Sequence, residues 1–138
     1  MNNKFTIRNY CAQEYEEIFS WWFRRNEPGP EPDMLPEEST FIIEIDGRAA
    51  YCVTVYVLNT KAVAWVDNFV RNPAIVGPKA LLREAVAALQ SHLEHFARER
   101  GIRRLFCFSY QDALKKRYAE IGYRETLGQV STFIKEVR

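Results

Sequence analysis

Cysteine and histidine are scarce in this sequence. Three cysteines, Cys11, Cys52 and Cys107, stand far apart with no Cys-x-x-Cys pair. An odd number at wide spacing excludes a disulfide framework and a zinc ribbon. Cys52 and Cys107 lie inside apolar runs, where reduced thiols pack as small core residues. Neither has a histidine beside it in sequence to make it a nucleophile. His92 and His95 are spaced i, i+3, but no Cys, Asp or Glu constellation completes a ligand set, so both are expected at the solvent and no metal is expected. No apolar run approaches the ~20 residues of a membrane helix. The N-terminal stretch MNNKFTIRNYC lacks the apolar centre of a secretion signal. The expectation is a soluble, cytoplasmic protein without a membrane partner. Nineteen basic and eighteen acidic residues leave a net charge of +1, which gives no electrostatic footprint for a nucleic-acid partner. Internal repeats and low-complexity segments are absent as well.

What the chain does have is apolar mass. Of 138 residues, 47% are hydrophobic and 14% aromatic, enough for a real core in a single domain over 1–138. KFTIRNY alternates as a first strand. Tyr15, Ile18, Phe19 and Trp22 then recur at helical spacing, with Trp21 and Phe23 off that stripe, where they either widen the apolar face or look into a pocket. Residues 27–39 hold four of the six prolines and five acidic side chains, and no Lys or Arg occurs from Asn26 through Gly47. This is a loop. It reads either as a solvated surface or as an acidic rim for a basic substrate. Asp46-Gly47 between two β-rich runs is a hairpin turn. KAVAWVDNFVRN is a further strand of the same meander. A long helix over 79–100 has the stripe Leu82, Val86, Leu89, Leu93 and Phe96, with Pro78 at its first position and Gly101 closing it. IRRLFCFS reads as a strand buried on both faces. A second helix ends at Gly122, and a hairpin about Leu127-Gly128 closes the chain.

Two stretches carry chemistry. The first is NFVRNPAIVGPKALLREA, a strand that runs through a short loop into the long helix. Free N–H groups at a helix start favour an anion. Gly77 allows close approach there, and Arg71, Lys79 and Arg83 add positive charge. Its alternative is an ordinary strand-to-helix connection. The second is DALKKRYAEIGYRE, with Tyr118 four residues before Gly122-Tyr123.

With these motifs and this order of elements, the chain resembles the GCN5-related N-acetyltransferase superfamily. Members carry Asn-x-x-Ala-x-x-x-Tyr-x-x-x-Gly-Phe on the helix after their fifth strand. Here Gln111 stands near the Asn, Leu114 near the Ala, Tyr118 at the Tyr and Gly122-Tyr123 at the Gly-Phe. The order of elements matches from Phe5 to Val137. The resemblance implies an α+β fold: a mixed, mostly antiparallel sheet of six or seven strands with three or four helices, its fourth and fifth strands splayed apart. It also implies acetyl-CoA as co-substrate. The pantetheine would lie along Phe69, Val70 and Arg71, and the pyrophosphate at Gly77, Lys79 and Ala80, with Gln111 also on the cofactor. Tyr118 would be the acid for the departing thiolate and Asp67 the base for the amine, with Glu44 and Glu125 as other carboxylates able to face the cleft. The acceptor would be a primary amine, on a small molecule or a protein, and a homodimer is compatible. The loop departs from the family's Gln/Arg-x-x-Gly-x-Gly/Ala signature: Val76 or Ile75 stands at the Gln/Arg position, the connection is shorter by about three residues, and Pro78 removes an N–H. That departure supports an alternative, a catalytically lapsed relative with a structural or protein-interaction role, as in some phage virion and host-interaction proteins.

Overall fold

The computed structural model describes residues 4–59, 62–107, 112–125 and 135. They fall into two compact units, within Met1–Phe108 and within Ser109–Arg138. In the first unit, strands β1 (Phe5–Asn9), β2 (Thr40–Ile45), β3 (Arg48–Val57), β4 (Val63–Arg71) and β5 (Arg104–Phe106) form one sheet in sequence order. The first four pair antiparallel, and β5 joins β4 in parallel. Helix α1 (Tyr15–Phe23) follows β1 and helix α2 (Lys79–Glu99) follows β4. The second unit contains helix α3 (Asp112–Glu120). This is the mixed α+β class expected, with five described strands. The closing hairpin about Leu127-Gly128 lies outside the described residues.

Local sequence explains the elements. Asp46 and Gly47 both have positive φ, 49° and 82°, the two left-handed residues that a tight hairpin needs. All three described α-helices stop the same way. Asn26, Gly101 and Gly122 have φ of 54°, 72° and 99°. In each, the next residue donates to the carbonyl five back: Glu27 to Trp22, Ile102 to Ala97 and Tyr123 to Tyr118. This is the Schellman stop, which satisfies carbonyls that the helix leaves open. Pro78 is the N-cap of α2 rather than its first residue, with extended ψ of 141°. Its missing N–H is therefore not one of the first-turn donors.

The α2 stripe buries as its period dictates: Leu82, Ala85, Val86, Leu89, Leu93, Phe96 and Ala97. Phe41 of β2 meets Phe96 and His92 edge-on at 5.1 and 4.8 Å. His92 is thus half-buried rather than solvent-facing, and burial lowers its pKa. His95 is exposed and lies 3.0 Å from Glu99. The α1 face is rotated from the expected one. Trp21 is 1% exposed and packs with Ile18, Trp22, Ile42, Cys52 and Val70, whereas Phe23 is 73% exposed. Tyr15 and Phe19 are half-buried and tilt against each other at 5.5 Å. The 27–39 loop runs over this pair: a Cβ on Gly29 would meet the Phe19 ring at 2.8 Å. Helical spacing alone does not say which way a wide aromatic face turns, because the covering loop fixes it. Strand β5 is only half-buried, with Leu105 and Phe106 intermediate and Arg104 exposed. Its apolar run is therefore not covered on both faces within the first unit.

The Arg8 guanidinium clamps Glu14 through both oxygens, at 2.6 and 2.8 Å, and reaches Glu44 at 3.3 Å. Glu44 is thereby committed to β1. The Arg8 hydrogen bonds, more than offsetting burial, hold the Glu14 carboxyl below its ordinary range. A carboxyl whose folded pKa is depressed adds stability above its unfolded pKa, and that stability is lost as pH falls through the folded value. Wild-type unfolding free energy should thus drop on acidification below about pH 4.5, the ordinary glutamate value. Glu14→Gln should flatten that limb in urea titrations at stepped pH. Trp21→Ala empties a filled site and should cost about 3–5 kcal/mol by urea denaturation at neutral pH.

Candidate active site

Strand β4 is paired with β3 on one edge, with a single break in register. Its antiparallel ladder to β3 runs from Val57↔Ala64 to Tyr51↔Arg71. On the other edge, the parallel ladder to β5 covers Val63↔Arg104, Ala64↔Leu105 and Trp65↔Phe106 and, among the described residues, goes no further. Beyond Trp65 this edge of β4 is open among the described residues. Asn72 donates its N–H to Ala50 at 2.8 Å, and Val70 pairs with Cys52. Strand alternation then turns the main-chain groups of Phe69 and Arg71 toward the open edge, and those of Val70 toward β3.

A bulge sits inside this segment. The register slips between Cys52 and Thr54, so that Asn68 and Phe69 oppose Val53 alone. Asn68 has φ of 55°, a region that Asn tolerates better than other non-glycine residues. Three hydrogen bonds surround it. Asp67 Oδ1 accepts the Asn68 N–H at 2.7 Å, Asn68 Nδ2 donates to the Tyr56 hydroxyl at 2.8 Å, and that hydroxyl donates to the Met34 carbonyl at 2.6 Å. Burial raises the Tyr56 pKa; the Asn68 hydrogen bond opposes the rise and the Asp67 charge adds to it. The hydroxyl therefore stays protonated at neutral pH and remains a donor. Asp67 itself is exposed, and its second oxygen has no hydrogen-bond partner among the described residues.

The loop beyond β4 is built on Asn72. Its Nδ2 donates to Ala49 at 2.9 Å, and its Oδ1 accepts from Ala74 at 3.0 Å. Ile75 is buried and Val76 is 90% exposed. Pro78 gives its carbonyl to Leu82 at 3.2 Å and makes no side-chain cap, and the first turn of α2 has no acidic residue. The amides of Lys79, Ala80 and Leu81 have no carbonyl one turn back within the helix. A Cβ on Gly77 would meet only Leu81, at 3.6 Å, so packing within the protein does not demand glycine there.

Of the sequence-nominated residues, Asp67, Phe69, Val70 and Arg71 thus lie on β4, and Gly77, Lys79 and Ala80 at the start of α2. Val70 is buried, and the Phe69 ring stacks on Tyr51 at 5.3 Å and 16°. Tyr118 lies on α3 in the second unit, half-buried, its ring 5.4 Å from Tyr123. The Tyr118–Gly122–Tyr123 spacing is that of the Schellman stop, including its contact between first and last residues. Gln111 lies outside the described residues. Burial pushes the thiols of Cys52 and Cys107 up to about 12 and about 11, so neither supplies a thiolate nucleophile at neutral pH. Sequence reasoning missed Tyr56 and Asn68. The signal for the latter was the Asp-Asn pair interrupting the apolar strand WVDNFV, since both residues are depleted from strands.

A second concavity, of about 420 Å³, lies between α1 and the Asp46-Gly47 end of the sheet. Three arginines (Arg8, Arg24, Arg48) and three glutamates (Glu14, Glu17, Glu44) line it, so its walls have no net charge to favour one sign of ligand.

A meander, a crossover helix and a fifth strand parallel to the fourth have counterparts among solved structures. The Mycobacterium tuberculosis protein Rv2747, solved with CoA, superposes with a TM-score of 0.69 at 17% identity, over 92% of this chain and 76% of its own. The fold is that of the GCN5-related N-acetyltransferases. N-acetylglutamate synthase from Neisseria gonorrhoeae, solved with coenzyme A and N-acetyl-glutamate, matches with a TM-score of 0.66 at 19% identity, over 88% of this chain, which spans 28% of the synthase. Glucosamine-6-phosphate N-acetyltransferase from Arabidopsis thaliana matches with a TM-score of 0.60 at 16% identity, over 96% of this chain and 99% of its own. No family model and no curated protein matches the sequence. Among the described residues, no helix of this acetyltransferase fold is long and apolar enough to cross a membrane.

The α3 stop gives a local test. Gly122 has φ of 99°, so Gly122→Ala should destabilise that turn by about 1–2 kcal/mol, read as loss of helical circular dichroism at a lower urea concentration.

Proposed function

We propose that the protein transfers an acetyl group from acetyl-CoA to a primary amine. The observation that carries this reading is the open edge of β4 leading to an uncapped helix start. An extended amide-bearing chain can pair with exposed main-chain groups as an added strand does. A diphosphate suits a helix N-terminus with free amides. The residues fit acetyl-CoA on these grounds. Phe69 and Arg71 would pair with the pantetheine amides, while Val70, bonded to β3, fixes the strand. The amides of Gly77, Lys79 and Ala80 would hold the pyrophosphate, with the Lys79 ammonium beside them. Pro78 removes no first-turn donor from this set. The resemblance would add Gln111, which lies outside the described residues.

The reaction forms a C–N bond and breaks the thioester C–S bond. The attacking ammonium must first give up a proton, for which Asp67 is the candidate base at the bulge. Main-chain N–H groups on the open edge would support the developing oxyanion. The departing thiolate takes a proton, for which Tyr118 is the candidate acid, and the proton that the nitrogen sheds as the amide forms would restore the phenol. The acceptor reading is supported by the loop, whose five acidic side chains are all exposed. It is also supported by the names of proteins with similar folds, which include an N-acetylglutamate synthase, an aminoglycoside acetyltransferase and a glucosamine-6-phosphate acetyltransferase.

Thermal unfolding with and without acetyl-CoA tests the donor. At a hundred times its Kd the ligand adds about 2.7 kcal/mol of stability, a clear upward shift in Tm. No shift at millimolar acetyl-CoA would favour the catalytically lapsed protein-interaction role. Tyr118→Phe should lower kcat about 10²-fold or more and leave the acetyl-CoA Kd unchanged, measured by thiol release and calorimetry. Equal loss of binding and turnover would assign Tyr118 to packing instead.

A further inference from the structure

We propose that Tyr56 and Asn68 form a tether that fixes the 27–39 loop against the β4 bulge and thereby positions the acceptor. The second half of this inference rests on the acyl-transfer reading; the first half does not. One phenol hydroxyl joins the two segments. It accepts from the Asn68 side-chain amide at 2.8 Å and donates to the Met34 carbonyl at 2.6 Å. Asn68 holds the left-handed bulge residue at the start of the open edge. Met34 ends the short 3-10 turn Pro32–Met34 of the loop.

The loop needs such a tie. It holds the 3-10 turn and no other described helix or strand, and its buried anchors are Pro30, Leu35 and Ser39. Three side chains hold its main chain: Tyr15 on the Pro30 carbonyl at 2.8 Å, Tyr56 on Met34 at 2.6 Å and Asn9 on Glu37 at 2.7 Å. Tyr15 and Asn9 belong to α1 and β1, remote in sequence from the bulge. Tyr56 alone of the three also bonds to β4. It is half-buried on β3, opposite Trp65 and one pair from Val55↔Val66, so its backbone is rigid and its hydroxyl is the adjustable element. A loop already held in place matters because an acceptor that has to order the loop on binding loses affinity by the cost of that ordering. Tyr56 and Asn68 are positioning residues here, and neither has to exchange a proton.

The test separates the tether from the bulge conformation. Tyr56→Phe removes the hydroxyl. Asn68→Gly removes the amide but keeps a residue at ease with positive φ. Amide hydrogen exchange across Asp33–Leu35 is compared in the full chain, in both single variants and in the double variant. Tyr56→Phe removes both bonds and should accelerate exchange there the most; Asn68→Gly leaves the Tyr56 hydroxyl on Met34 and should accelerate it less; the double variant should match Tyr56→Phe, since no link is left for it to break. Acetyl-CoA binding, read by the Tm shift, should be unchanged. With spermidine as the amine probe and thiol release as the readout, both singles should raise the amine KM about 2- to 10-fold, the worth of one hydrogen bond, with kcat little altered. Unchanged exchange in Asn68→Gly, or additive effects in the double variant, would overturn the tether. A loss confined to kcat would overturn the positioning role. If Tyr56→Phe does not fold, the Asn68→Gly comparison alone decides. Absence of transfer by the wild-type chain counts against the proposed function and the positioning role, while exchange still decides the tether.

Discussion

Every main-chain N–H and C=O withdrawn from water has to find a partner, and β4 meets that demand unequally on its two edges. Toward β3 it is bonded from Ala64 to Arg71, broken only at the bulge. Toward β5 it is bonded from Val63 to Trp65, and beyond that the edge is open among the described residues. The other features of the first unit arrange themselves around this inequality. The bulge at Asn68 falls where pairing with β5 has ceased and re-aims the residues after it. The Asn72 turn then carries the chain off the sheet and starts α2 close to the end of the open edge.

The 72–78 connection shows how one substitution pattern can be read two ways. As a string of letters, a proline beside the glycine removes a donor from a phosphate-binding turn. In three dimensions Pro78 is the residue before the helix, its carbonyl bonded to Leu82, and the donors that face forward belong to the residues after it. Losing an N–H at the N-cap leaves that set intact. Gly77 makes no close contact that forbids a side chain, so packing within the protein does not explain its smallness.

Solved structures at 14–19% identity superpose with TM-scores of 0.60–0.69. So few shared residues suffice because the fold rests on patterns rather than identities. The α2 stripe, the Asp46-Gly47 turn and the glycine stops of α2 and α3 all follow from local rules of period and φ, and all were legible in the sequence. The bulge was less legible, because its only trace was a polar pair inside a strand. The Tyr56 tether left no trace, since it joins residues 34, 56 and 68 that no local pattern connects.

The sequence by itself determined the order of the described strands and helices, the apolar face of α2, the Asp46-Gly47 turn and the stops of α2 and α3. These depend on interactions within a turn or two of chain. Only the tertiary structure decided that α1 turns Trp21 inward and Phe23 outward, that Glu44 is spent on Arg8, that Phe69 and Arg71 rather than Val70 present their backbone to the open edge, and that Asp67 shapes a bulge. The first three depend on partners far away in sequence and the bulge on its register with β3, and such contacts have no address until the chain has folded.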